Sequence, residues 1–234
     1  WADYINIGFE HGSFDLAGLD SYLHGMVDAG PTRSGHRTPA IIVEVPVNGI
    51  SRAIVEANAW MFQQILARGV HGIILCKANT ADAVRAFVEC CRFPVQRAGV
   101  GEGVGEGVRG FGAEISAAHV WGVDIETYGA KADPWPLNPE GELILGIKIE
   151  TVTGVEQLEE IIAVPGIAFA EVGPTDMSYA LGIPKLTVPL SGKVAEIEKR
   201  VGEACKASGV PYHPFTGHLG PEGIPNVIDA GGRY

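Results

Sequence analysis

The chain has 234 residues, 46% of them hydrophobic, and positive mean hydropathy, which is enough apolar material for a sizeable core in one domain. A formal charge of −11 without a Lys/Arg cluster argues against nucleic-acid partners, since binding phosphates takes basic patches. No apolar run approaches the ~20 residues of a membrane helix, no basic segment precedes an apolar one at the start, and Cys76, Cys90, Cys91 and Cys205 lack zinc spacing and read as reduced thiols, so a soluble cytoplasmic protein is expected.

Asp3 to Phe9, DYINIGF, reads as a strand that runs into Glu10-His11-Gly12-Ser13-Phe14-Asp15. A helix follows, with Leu16, Leu19, Leu23, Met26 and Val27 on one stripe and Ser13 or Asp15 as its cap. His11 therefore stands at the C-terminal edge of a strand, where an imidazole that titrates near operating pH is a candidate general base. Asp28 to Arg37 is a polar loop, and Pro39 to Val45, PAIIVEV, is the next strand, with Glu44 near its end. One long helical pattern covers Ile50 to Arg68 and stops at Gly69. His71 to Cys76 is another buried strand, with Cys76 read as core. Lys77 reads as a surface residue after that strand, with pocket charge or a Schiff base as the alternatives. A helix spans Thr80 to Cys91. Gly99 to Gly112 contains a formal GxGxxG, but a dinucleotide turn needs a strand directly before it, and Pro94 to Arg97 is a poor one. Ala113 to Trp121 and Asp124 to Lys131 are short helices, and Asp133 to Glu140 is a Pro-broken loop.

The stretch from Leu143 to Pro184 organises the rest. Two strands, Leu143 to Ile149 and Ile167 to Val172, are each followed by an acid, Glu150 and Asp176. Between them lies a helix with Thr153 as N-cap and Val155, Leu158, Ile161 and Ile162 on its buried stripe, ended by Pro165-Gly166. A crossover this short implies a parallel pair with right-handed connection. Ligands of parallel α/β folds gather at the strand C-termini, so both acids are expected in one pocket. Oxygen-only ligands favour a hard ion, Mg²⁺ or Mn²⁺; a pair of solvated loop acids is the alternative. Lys148 shares a strand face with Glu150 and should approach the same pocket. Val188 to Ser208 reads as a helix, Val210 to Phe215 as a strand and Pro221 to Gly231 as a short helix.

KIET at Lys148 to Thr151, EVGPTDMSYALGIP at Glu171 to Pro184, FEHGSFD at Phe9 to Asp15 and the Arg92-Phe93-Pro94 triplet together resemble the HpcH/HpaI aldolase family, divalent-metal-dependent lyases that cleave or form carbon–carbon bonds of 2-oxo acids. The resemblance implies a (β/α)₈ TIM barrel of the phosphoenolpyruvate/pyruvate type. It would form one domain over residues 1–234, without the family's first strand and last strand–helix pair. It implies Glu150 and Asp176 as metal ligands, the Gly173, Pro174 and Thr175 turn as holder of the substrate carboxylate, and His11 as acid–base group. Arg109 lies in the nearest match to a glycine-rich family loop, read as a mobile loop at the mouth of the site that contacts substrate. A small 2-oxo acid and an aldehyde are the implied partners, and a homo-oligomer, commonly a hexamer, the implied assembly.

Three positions depart from the family wording: Gly8 replaces an Asp, Glu44 an Arg and Lys148 a Gln. Glu10, a neighbour pointing to the other strand face, does not replace the lost Asp. Glu44 is expected to pair with Lys148, and Lys148 to bring the positive charge lost with the Arg. Two other readings stay open: the same enolate with a different bond broken, as in decarboxylation, and a catalytically silent relative that binds an oxo acid.

Overall fold

Alternating apolar strands and amphipathic helices can close their backbone hydrogen bonds only if each helix carries the chain back to start the next strand in the same direction. In the computed structural model every strand pair is parallel. The structure describes residues 4–112, 114–184, 186–187, 189–216, 219, 221–229 and 232. The order is β1 (Tyr4–Gly8), α1 (Leu16–Asp28), β2 (Ala40–Asn48), α2 (Arg52–Ala57), α3 (Ala59–Leu66), β3 (Gly72–Cys76), α4 (Ala81–Cys91), α5 (Glu114–Trp121), α6 (Ile125–Lys131), β4 (Pro134–Trp135), β5 (Leu143–Ile149), α7 (Val152–Glu156), α8 (Leu158–Ile162), β6 (Phe169–Val172), α9 (Pro174–Ala180), α10 (Gly192–Ser208), β7 (Tyr212–His213) and α11 (Ile224–Asp229).

The strands form a sheet in the order β1-β2-β3-β5-β6-β7, with β4 pairing the start of β5. The sheet is curled into a half-barrel, and its two edge strands approach across the inside, where the Tyr4 hydroxyl on β1 lies 3.3 Å from Nε2 of His213 on β7. On β5 the alternation is strict: Leu143, Leu145, Ile147 and Ile149 are fully buried against the helices, while Gly146 and Lys148 share the opposite face. Gly146 is required there, because a Cβ would stand 2.3 Å from the Phe169 ring.

Several expected boundaries shift for local reasons. Asp15, not Ser13, caps α1, accepting from the Gly18 amide. The pattern from Ile50 to Arg68 breaks at Asn58, whose φ of −109° and ψ of 11° leave the helical region and whose side chain donates to the Ile54 carbonyl. The cap after β5 is Thr151 rather than Thr153. Its hydroxyl accepts from the Gly154 amide, so the turn begins directly after Glu150. The Pro-broken loop contributes the short β4. The last strand shrinks to Tyr212–His213 and the following segment to a 3₁₀ turn, Pro221–Gly223, plus α11. Gly192 opens α10 and Gly209 closes it with a φ of +71°, as a left-handed C-terminal cap favours. The expected start at Val188 and end at Gly231 lie outside the described residues.

At the opposite end of the sheet from the expected site, a buried ion pair fixes the return loops. Arg92 Nε donates to Asp133 Oδ1 at 2.6 Å and Nη2 to Oδ2 at 3.0 Å, while Nη1 reaches the Ala98 carbonyl at 2.8 Å. Both side chains are essentially unexposed, so such a pair persists only with its fork fully used.

His71 precedes β3, accepts at Nδ1 from the Ile41 amide and stacks on Trp121 at 5.1 Å between ring centres. Burial holds its pKa down at about 4, against a small opposing pull from Glu142. The unfolded chain therefore binds a proton that the folded chain refuses; the associated stability is present above the ordinary histidine range and lost as pH falls towards 4. Unfolding in urea should show a loss of about 2 kcal/mol between pH 7 and pH 5, and His71→Gln should flatten that slope.

Candidate active site

The residues that follow β1, β5, β6 and β7 converge on a cavity of about 560 Å³ at the C-terminal end of the sheet. His11, Glu44, Lys148, Glu150, Gly173, Pro174, Thr175 and Asp176 all line it, together with Asn6, Glu171 and His213. A larger cavity, about 1100 Å³, lies at the other end, between the loop from Gly30 to Ala40 and Trp121. Its lining precedes strands rather than following them.

Local structure places each group. Glu150 is the first residue past β5 and is 1% exposed. Its Oε2 accepts from the Lys77 amide at 2.9 Å, and its Oε1 is buried with no hydrogen-bond donor, 3.3 Å from the Lys148 ammonium. Gly173 passes directly over this carboxylate; a Cβ there would sit 1.8 Å from Oε1. Pro174 then starts α9 at a position where its missing N–H costs nothing, and Asp176 falls in the first turn. Lys77 has a φ of +49°, a left-handed conformation that costs an ordinary side chain about 1–2 kcal/mol. The turn is fixed on both sides, by the Gly49 amide donating to Cys76 O at 2.7 Å and the Ala78 amide donating to Lys148 O at 3.0 Å.

The centre of the charge network is Glu10, which sequence reasoning set aside. It lies past the end of β1, where strand alternation no longer governs it. Lys148 donates to its Oε2 at 2.9 Å and Lys77 to its Oε1 at 3.1 Å. Burial by itself would raise its pKa, but the hydrogen bond and charge of Lys148, with help from Cys76 and Lys77, hold it at about 2. Burial works against the Lys148 charge too, yet Glu150, Glu10 and Glu44 raise its pKa, so it stays protonated. Burial, aided by the charge of Glu10, pushes Glu150 up, and Lys148 and the Lys77 amide oppose this. The Cys76 thiol is pushed well up by burial, which removes it as a nucleophile.

Two expectations change and one is extended. The expected ion pair of Glu44 with Lys148 is present at 3.9 Å, but Glu10 is the closer partner of Lys148, at 2.9 Å, and Glu44 also accepts from Asn6 at 2.9 Å. Lys77 is not a surface lysine: 24% of its side chain is exposed, and its ammonium also lies 3.1 Å from Asp176 Oδ1. Arg109 is not in the site. It is buried with its guanidinium 4.2 Å over the Phe93 ring and Nη2 donating to the Tyr128 hydroxyl at 2.7 Å. Its glycine-rich segment packs at the opposite end, with the Gly105 amide on Glu89 and Gly103 facing Pro165. His11 is 70% exposed, with Nε2 3.6 Å from both Glu10 and Asp176, so it can reach ligand and solvent alike. Glu171 and His213, paired across β6 and β7 with Oε2 and Nδ1 2.8 Å apart, were also missed. A histidine within the last expected strand, Val210 to Phe215, was the available signal.

A profile of HpcH/HpaI aldolase/citrate lyase matches residues 36–215. The chain belongs to the HpcH/HpaI aldolase/citrate lyase family. Among relatives, a hydroxypyruvate/pyruvate aldolase from Roseobacter denitrificans is 27% identical over 99% of this chain and 75% of its own length. A 2-keto-3-deoxy-L-rhamnonate aldolase from Klebsiella pneumoniae is 33% identical, over 56% of this chain and 42% of the relative. An HpcH/HpaI aldolase/citrate lyase family protein from Burkholderia cenocepacia superposes with a TM-score of 0.71 over 99% of this chain and 77% of that one, at 24% identity. The citrate lyase beta subunit of M. tuberculosis, solved with oxaloacetate and magnesium, superposes with a TM-score of 0.53 at 15% identity, over 99% and 79%. The aldolase relatives are carbon–carbon lyases, and that is the enzyme class of this chain.

The donor chemistry suits a hard divalent ion. Glu150 Oε1 is buried with no aligned hydrogen bond and only the Lys148 ammonium near it, at 3.3 Å, and Asp176 in the first turn of α9 faces the same cavity. Glu10, His11 and Asp176 also lie close enough together to share an ion.

Removing Glu10 takes the shared counter-ion from two ammonium groups, leaving Asp176 to Lys77 and Glu150 to Lys148. Glu10→Ala should destabilise the protein by about 3 kcal/mol in chemical denaturation. In double-mutant cycles Glu10 and Lys148 should couple by more than about 1 kcal/mol, and Glu44 and Lys148 by less than about 0.5 kcal/mol. Gly173→Ala should displace Glu150 and abolish activity while the far-ultraviolet circular dichroism stays unchanged.

Proposed function

We propose that the chain is a divalent-cation-dependent lyase of small 2-oxo acids that releases a pyruvate-type enolate and an aldehyde. Its curled sheet would be the major part of a (β/α)₈ barrel. The observation that carries the reading is the convergence of Glu150 and Asp176, each from the end of its own strand, on one cavity also lined by Lys148 and His11.

Glu150 and Asp176 would hold Mg²⁺ or Mn²⁺. When bound, the ion supplies Lewis-acid stabilisation of negative charge developing on the substrate's oxo and carboxylate oxygens. The Gly173, Pro174 and Thr175 turn would offer the Gly173, Thr175 and Asp176 amides, Pro174 having no N–H, to the substrate carboxylate. His11 takes the proton of the aldol hydroxyl. The carbon–carbon bond then breaks into an aldehyde carbonyl and an enolate, and the proton returns to the enolate carbon, directly or through water. Lys148, kept protonated by the surrounding acids, offsets negative charge on the inner wall and brings the positive charge that the family resemblance assigns to an Arg in place of Glu44.

The two departures at Gly8 and Glu44 belong together. They are register partners, and a Cβ at Gly8 would lie 3.4 Å from Glu44 Oε2. An Asp at position 8 would therefore set two like charges side by side, which Glu44 disfavours. Glu10 and Asp176, each 3.6 Å from His11 Nε2, are the carboxylates beside the imidazole instead.

The test is deuterium exchange at the pyruvate methyl group followed by NMR. Exchange should require Mg²⁺ or Mn²⁺ and vanish in Asp176→Ala. Metal binding without exchange on pyruvate would sink the pyruvate-type reading and direct the search to other oxo acids.

A further inference from the structure

Lys77 touches three carboxylates at once. Its ammonium stands 3.1 Å from Glu10 Oε1 and 3.1 Å from Asp176 Oδ1, and its amide donates to Glu150 Oε2 at 2.9 Å. Among the described residues it is the only one other than glycine with a positive φ, at +49°. The turn is pinned by hydrogen bonds from Gly49 to Cys76 and from Ala78 to Lys148. The backbone is thus held in a costly conformation that turns this side chain away from the line of β3 and into the acids.

We infer that Lys77 is a tethered cation that shares Asp176 with the divalent ion, so that loading the site exchanges the lysine ammonium for the metal. The inference rests on the cation reading of Glu150 and Asp176 given above. A divalent ion coordinates oxygens at about 2.0–2.6 Å. An ammonium 3.1 Å from Asp176 Oδ1 would then stand within about 6 Å of an ion on that oxygen, two like charges in a partly desolvated pocket. Glu10 makes the exchange possible without stranding the lysine. Its carboxylate is 5% exposed, holds Lys77 on one oxygen and Lys148 on the other, and so remains a counter-ion for Lys77 after Asp176 is given up. The ion gains Asp176 at the expense of an existing ion pair, and its apparent affinity is set by that competition.

The experiment titrates Mn²⁺ into chelator-stripped protein and reads free Mn²⁺ by electron paramagnetic resonance, for the wild type, Lys77→Met, Lys77→Gln and Asp176→Asn. Both Lys77 variants keep an unbranched Cβ, are one heavy atom shorter along the chain, and remove the charge. They should bind Mn²⁺ about tenfold tighter or more, and Asp176→Asn should bind at least about tenfold weaker. Thermal unfolding gives an independent reading. Without metal the Lys77 variants should melt below the wild type, and Mn²⁺ should raise their midpoint by more than it raises the wild type's; a purely structural lysine would lower the first without enlarging the second. Equal or weaker Mn²⁺ binding by both Lys77 variants, with binding still lost in Asp176→Asn, overturns the exchange alone. Unaltered binding in Asp176→Asn overturns the cation reading, and the exchange with it.

Discussion

A carboxylate buried beside other carboxylates stays ionised only if positive charge is buried with it. At the C-terminal end of this sheet Glu10 meets that condition twice over, with Lys148 on one oxygen and Lys77 on the other. The two lysines in turn reach Glu150 and Asp176. Remove this shared counter-ion and the remaining acids and ammonium groups lose their fixed positions together. The network also explains why the strand ends are so tightly built. The left-handed turn at Lys77, the glycine over Glu150 and the proline that starts α9 all serve to bring charged groups within 3–4 Å without a backbone clash.

The fold was legible because it depends on pattern. The β5 alternation, the apolar run of β3 and the helix stripes gave parallel strands and their order of connection. The acids at Glu150 and Asp176 were legible for the same reason, since a parallel strand delivers whatever follows it to one end. What pattern could not show was the direction of side chains beyond the last paired residue. Glu10 was judged by strand parity, but the chain has left β1 by then. Lys77 was judged by the usual exposure of lysine, and nothing local signals that its backbone is left-handed. Arg109 was placed by likeness to a loop, whereas cation–π contact with Phe93 and the hydroxyl of Tyr128 give a buried guanidinium a better environment at the other end.

Gly8, Glu44 and Lys148 lie far apart along the sequence, yet in the structure they are parts of one arrangement. Gly8 leaves room beside Glu44, Asn6 takes one Glu44 oxygen, and Lys148 turns to Glu10 and Glu150. The pocket keeps both signs of charge, with the ammonium group on β5 and the Glu44 carboxylate on β2.

Strand β5 carries two messages in alternate residues. Leu143, Leu145, Ile147 and Ile149 fill the layer beneath the helices, while Gly146 and Lys148, continued by Glu150, face inward. Gain or loss of one residue within this strand would transpose the two sets, setting a lysine in the oily layer and leucines in the pocket. The reading frame of the strand is therefore under a heavier constraint than any single letter in it. Over evolutionary time this segment can change by substitution, whereas changes in length are confined to connections such as the polar loop between α1 and β2.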